Sequence, residues 1–147
     1  MKHFALFVFF LFIFLLNSNA QSDDICGYWL TLKGNTQIQI IKANNDMYYG
    51  KIVWLRVHKD RPDYKNPIEK FRTRKILGLQ IINNFVFNPE SNCYEKGTIY
   101  DPEIGYTYMV KIWLGENKNI LKLKGHVVGM KLLNRESKWV REYDLRK

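Results

Sequence analysis

Tyr106-Thr107-Tyr108-Met109-Val110-Lys111-Ile112-Trp113-Leu114, then Gly115-Glu116-Asn117-Lys118-Asn119, then Ile120-Leu121-Lys122-Leu123-Lys124-Gly125: two runs of period two on either side of small and polar turn residues. In extended chain, successive side chains point to opposite sides of a sheet. Tyr106, Tyr108, Val110, Ile112 and Leu114 therefore share one face, and Thr107, Met109, Lys111 and Trp113 the other. The second run sorts more cleanly, with Leu121 and Leu123 on one side and Lys122 and Lys124 on the other. The stretch predicts an antiparallel hairpin with a wet face and a dry one.

The same grammar extends in both directions. Residues 27–33 and 36–43 flank Gly34-Asn35, a pair able to take the positive φ angles of tight turns. Asn44-Asn45-Asp46 leads into residues 47–57, which are rich in the aromatic and β-branched residues that suit a pleated surface. Strand-like sequence resumes at 79–87, 97–101, 106–114, 120–127 and 136–143, with Asp101-Pro102-Glu103-Ile104-Gly105 reading as a turn. No long segment has helical period. Between 58 and 75 the pattern stops at Pro62, Pro67 and many charges, so this is the one long connection and a candidate lid. Within it, Asn66-Pro67-Ile68-Glu69 could cap one helical turn. The fold class is all-β. Eight short antiparallel strands leave exposed edges unless the sheet doubles over or closes, and an eight-stranded up-and-down β-barrel removes the edges altogether. A β-sandwich is the alternative; the barrel is preferred, and its interior can hold one small ligand.

Ahead of this domain lie Met1-Lys2-His3, an unbroken apolar run over residues 4–16, and a short polar stretch containing Ser18 and Ala20. That is the order of a secretory signal peptide over residues 1–20, cleaved after Ala20. The apolar run falls short of the roughly 20 residues that span a bilayer. No cysteine follows the cleavage site, so a lipid anchor there is not expected. Residues 21–147 form one domain, a periplasmic or secreted one, with a net charge of +8 once Lys2 is removed. The basic residues are spread along the chain, which reads first as a solvated surface and second as a site for anionic envelope components. Cys26 and Cys93 are the only cysteines; in an oxidising compartment they suggest one disulfide, the other reading being two idle thiols.

In a closed barrel the first and last strands are neighbours, so Arg141 can lie across the ring of Trp29 as a cation–π closure. Gly27-Tyr28-Trp29 with a late arginine resembles the signature of the calycins, the lipocalins and their relatives. A longer series resembles, in order, the motifs of domain of unknown function family 2147, found in exported bacterial proteins. It comprises Gly50-Lys51-Ile52-Val53-Trp54-Leu55, Asp63 with Asn66-Pro67, Gly97-Thr98-Ile99-Tyr100-Asp101-Pro102-Glu103 with Gly105 and Tyr108, Leu121-Lys122-Leu123-Lys124-Gly125, and Trp139 with Arg141. The resemblance implies a lipocalin-like barrel and no assigned activity. Lys124 departs from it, standing where the family favours arginine, and a lysine lacks the planar fork for bidentate recognition.

Asp101 and Glu103 are the only closely spaced carboxylates flanked by aromatics, and such pairs can divide acid and base roles in glycoside hydrolysis. Turn chemistry explains them more simply, as does ion pairing with Lys51, Arg72 or Arg74. His58 near Asp60 and Asp63 shows no metal-ligand spacing, and no nucleophile elbow, phosphate loop or H-E-x-x-H helix occurs. Aromatic residues among basic ones also describe single-strand nucleic-acid binders, a partner that export disfavours. The expectation is a non-enzymatic binding protein without cofactor or metal, holding a small apolar or amphipathic molecule. Tyr49, Val53, Tyr108, Val110, Leu121 and Leu123 would line the lumen, with Lys51, Arg72, Tyr100, Asp101 and Glu103 at its mouth; a one-residue slip would reverse the list. The alternatives are an envelope interaction protein with a plugged lumen and a basic outer surface, and a hydrolase using Asp101 and Glu103.

Overall fold

A computed structural model describes residues 24–147, with the backbone alone for 131–133; the expected signal peptide lies outside the described residues. The strands are β1 (Gly27–Leu30), β2 (Thr36–Lys42), β3 (Tyr48–Leu55), β4 (Gln80–Asn88), β5 (Cys93–Asp101), β6 (Tyr106–Leu114), β7 (Ile120–Val127) and β8 (Met130–Glu142). Each pairs antiparallel with the next, and β8 returns to β1, closing the barrel. The opening hairpin forms as read, with Tyr108 opposite Val127 and Leu114 opposite Leu121. At the seam Trp29 stands opposite Arg141.

Two strands run longer than their pattern. β5 begins at Cys93 because a bulge, with Lys96 at φ 64°, shifts the register between Tyr94 and Gly97 and breaks the alternation without ending the strand. β8 begins at Met130, directly after the Val128-Gly129 turn, where Gly129 takes φ 84°. The helical turn in the long connection is a 3-10 turn, Glu69–Phe71, starting later than Asn66-Pro67 suggests. Asn66 instead accepts the Ile68 amide on its side-chain oxygen, an Asx turn.

One end of the barrel is filled. Trp29, Tyr48, Phe85 and Tyr94 are essentially without solvent contact there, and the Tyr48 and Tyr94 rings meet edge to face at 4.9 Å, the arrangement their quadrupoles favour. Gly97 makes room, since a Cβ on it would sit 2.3 Å from the Phe85 ring. Arg141 clasps this end: its guanidinium lies 4.2 Å from the Trp29 ring centroid. It donates to the carbonyls of Cys26 and Lys118, both at 3.1 Å, and to that of Asp24. Trp29 Nε1 donates to the Ile25 carbonyl at 2.8 Å.

After β8 the chain folds back over the outside of β1 to β3. The fully buried Gln37 donates to Glu142 at 2.7 Å and to the Asp144 carbonyl at 2.8 Å, and accepts the Arg146 amide at 3.1 Å. A buried amide needs such partners, and the tail supplies them.

The expected disulfide is not formed: Cys26 and Cys93 are both unbridged. Cys26 precedes β1 and Cys93 opens β5, four strands away around an eight-stranded ring, whereas a bridge needs Cα atoms roughly 4.4–6.8 Å apart. The Cys93 thiol donates to the Ser91 carbonyl at 3.1 Å.

Candidate ligand-binding cavity

The other half of the barrel is open. Its inward positions are mostly medium aliphatic side chains, with Tyr108 and Trp139 among them, and they line a cavity of about 280 Å³. Ile38, Ile52, Ile99, Val110, Leu123 and Trp139 form its apolar wall, while Lys33, Asp101, Glu103, Arg135 and Glu136 stand around its mouth. The opposed charges partly neutralise one another: Lys124 pairs with Glu136 at 2.7 Å, and Arg135 lies 4.0 Å from Asp101.

Tyr108 lines this cavity. Its hydroxyl is buried and, among the described residues, is the one buried side-chain polar atom with no hydrogen-bond partner in the protein. Burial pushes the phenol pKa up, so near neutral pH it is an uncharged O–H able to donate. Arg135 lies over the same ring at 5.5 Å, its charge partly offset by Asp101 at 4.0 Å.

The long connection is pinned to the barrel rather than hinged over its mouth. Asp63, with no exposed surface, accepts the Tyr100 hydroxyl at 2.7 Å and the Asn66 amide at 2.8 Å, with Arg74 at 3.6 Å. The Tyr100 pKa is raised by burial and by the Asp63 carboxylate, which keeps that proton in place. Gly105, at φ 76°, receives the connection directly: a Cβ there would lie 2.0 Å from the Lys65 carbonyl oxygen. Arg61 forms an ion pair with Glu103, and the Asp101 carboxylate accepts the Glu103 amide at 2.9 Å. Both carboxylates thus already have structural tasks. Among the described residues no group of three His, Cys, Asp or Glu side chains could hold a metal ion; Asp60 pairs with Lys75 at 2.8 Å.

Of the residues read as a binding set, Tyr108, Val110, Leu123, Tyr100, Asp101 and Glu103 border the cavity. Leu121 points inward but into the filled half, with no solvent contact. Tyr49 and Lys51 stand on the outside of β3, whose inward positions are Tyr48, Gly50 and Ile52; the Tyr49 hydroxyl accepts a bond from Asn45 at 3.0 Å. Val53 is the extra residue of a bulge, since Ile38 faces Ile52 while Gln37 faces Trp54. Arg72 is exposed, with Nε on the Asn66 carbonyl at 2.9 Å. Among the cavity residues missed are Ile38, Ile52, Ile99 and Trp139 in the wall and Arg135 at the mouth; alternation marks the wall residues as inward, but nothing in the sequence ranks them above other inward positions.

A closed eight-stranded barrel, sealed by a Trp–Arg seam at one end and hollow at the other, is lipocalin-like. The solved structure described as "Protein HP1028 from the human pathogen Helicobacter pylori belongs to the lipocalin family" superposes with a TM-score of 0.68 at 20% identity, over 82% of this chain and 84% of that one. The family model described as "Uncharacterized protein conserved in bacteria (DUF2147)" matches residues 27–141, and the chain belongs to that family. No curated protein matches the sequence.

Proposed function

We propose that the protein is a non-enzymatic carrier that holds one small apolar or amphipathic molecule in the open half of its barrel, and that it works outside the cytoplasm. The observation that carries the binding reading is the division of one lumen into an aromatic plug and an apolar hollow with a polar mouth, the composition of small-molecule sites generally. For scale, a dry cavity of about 150 Å³ takes up benzene, so 280 Å³ suits roughly a dozen non-hydrogen atoms. The Tyr108 hydroxyl, with Arg135 beside it, suits a ligand bearing one hydrogen-bond-accepting head, such as a carbonyl or carboxylate. A catalytic reading of Asp101 and Glu103 is disfavoured by their use in the turn and in the Arg61 pair. Support for export comes from the basic, apolar and small-residue order of residues 1–20.

Native mass spectrometry of protein purified from its source tests the reading, with Val110→Trp as the variant that fills the hollow. A small molecule retained by the wild type and lost from Val110→Trp is expected. A wild type that carries nothing, and whose Trp139 fluorescence is unmoved by medium-chain carboxylic acids, would end it.

A further inference from the structure

The up-and-down topology sends the loop 31–35, the connection 56–79 and the turns 102–105 and 128–129 to the open end, and the loops 43–47, 89–92 and 115–119 to the filled end. Charge divides the same way. Residues 56–75 alone carry eight basic side chains against three acidic, Lys33 adds another near the mouth, and Glu103 in the turn 102–105 offsets one of them. The three loops of the filled end carry Asp46, Glu90 and Glu116 against Lys118. Exposed hydrophobic side chains are most numerous at the basic end: Leu32 is 71% exposed, Tyr64 69%, Val57 60% and Ile68 50%, with Val128 and Met130 at the same end, whereas the exposed Tyr143 lies at the other, its hydroxyl on Asn119. Among the described residues, none of the large exposed hydrophobics lies in the loops of the filled end. The cluster lies mostly within the run 56–75, and the fold brings Lys33 to the same end.

We infer that the open end of the barrel docks on an anionic lipid bilayer. Lysine and arginine near such a surface are attracted to its headgroups, and apolar tips among them enter the boundary between headgroup and acyl chain. A soluble polyanion would use the charges but leave Leu32, Val57, Tyr64 and Ile68 without a purpose, and this combination favours the bilayer. Arg61, Arg74 and Lys75 are engaged by Glu103, Asp63 and Asp60, so Lys59, Lys65 and Lys70, all exposed, are the cations assigned to the headgroups. Docking stands on this rim alone. Its use, passing the cavity's occupant between barrel and bilayer, rests on the binding reading above.

The test is co-sedimentation of the protein, purified from its source, with vesicles of phosphatidylcholine alone or doped with phosphatidylglycerol, at low and high salt. Binding is expected on the doped vesicles only, weakening as salt screens the charges. The triple variant Lys59→Glu, Lys65→Glu, Lys70→Glu should bind at least about a hundredfold more weakly, since each basic group near the surface is worth roughly fivefold. Val57→Ser with Tyr64→Ser and Ile68→Ser should bind vesicles about tenfold or more weakly while binding dextran sulfate as the wild type does. Equal binding to doped and undoped vesicles, or vesicle binding untouched by the three serines, would overturn the inference; the second result would assign the rim to soluble polyanions. Val57, Tyr64 and Ile68 do not line the cavity, so the two readings fail separately. Loss of vesicle binding with a molecule still retained confirms the docking face, whereas an empty cavity in a vesicle-binding wild type ends only the carrier reading.

Discussion

Truncating Arg141 to alanine tests the closure of the barrel. Its guanidinium holds the carbonyls of Asp24 and Cys26 in partly buried surroundings and that of Lys118 at the surface, and it covers the Trp29 ring at 4.2 Å. A charged hydrogen bond contributes about 1.5–3 kcal/mol when sheltered and less when wet. The ring contact adds about 0.5–2 kcal/mol. The contributions are not additive, because one side chain makes all of them, so a loss of about 3 kcal/mol is expected for Arg141→Ala. For a domain of this length that is a fall of roughly 10–15 °C in Tm. Arg141→Lys keeps a cation over the indole but cannot reach three carbonyls with a planar fork, and about half the loss should remain. Urea denaturation followed by tryptophan fluorescence reads the change as a shift in midpoint with unchanged slope. An alanine variant within about 0.5 kcal/mol of wild type, the range of an ordinary surface substitution, would refute the clasp.

Three further substitutions address the other linkages. Tyr100→Phe removes the hydroxyl that the buried Asp63 accepts at 2.7 Å, so a loss of about 1.5–3 kcal/mol is expected, together with faster tryptic cleavage after the basic residues of the connection; unchanged proteolysis would show that the connection is held by other contacts. Tyr108→Phe should leave the empty barrel as stable as before or up to about 1 kcal/mol more so, because no protein group loses a bond, while affinity for ligands with an accepting head falls roughly tenfold; destabilisation measured by urea would show a partner inside the protein. The Arg61 pair holds the Glu103 pKa below its ordinary 4.5. Stability from that pair is therefore present above pH 4.5 and is lost as pH falls through the lowered value; Glu95 and Glu142 are lowered too, so the readout is the difference between wild type and Glu103→Gln, which should vanish at low pH and grow towards neutrality.

What the sequence made legible was whatever depends on alternation alone. The β6–β7 hairpin, the eight strands, the closure and the pairing of Trp29 with Arg141 follow from period-two faces and from the need to remove edges. What it concealed depends on single residues that add to the count. The bulge at Val53 and the one at Lys96 change the register without changing composition; counting back by twos from the buried Leu55 without the extra residue at Val53 turns Tyr49 and Lys51 inward, whereas they face out. Asp63, Asn66 and Tyr100 were visible as motif residues, yet their network joins positions 34 and 37 apart, a separation no local pattern encodes. The basic rim is legible in part: the run 56–75 is dense in cations in the sequence, but that it shares one end of the barrel with Leu32, Lys33 and Val128 follows only when alternate loops gather there.

A plugged lumen and an open one stood as alternatives on sequence, and the barrel contains both. The longer strands cross both halves of the wall, so inward positions of one strand serve plug and hollow in turn, and side-chain size decides which. On β5 Tyr94 fills the closed half and Ile99 borders the cavity; on β3 Tyr48 and Ile52 divide the same way. On β6 the order breaks, because Tyr108 is a large side chain in the open half. A ring there narrows the hollow and brings in a hydroxyl that the protein does not bond. An aliphatic residue would give a roomier cavity without that cost. Tyr108 is therefore the position where packing alone gives no account of the residue, and where a bound molecule would.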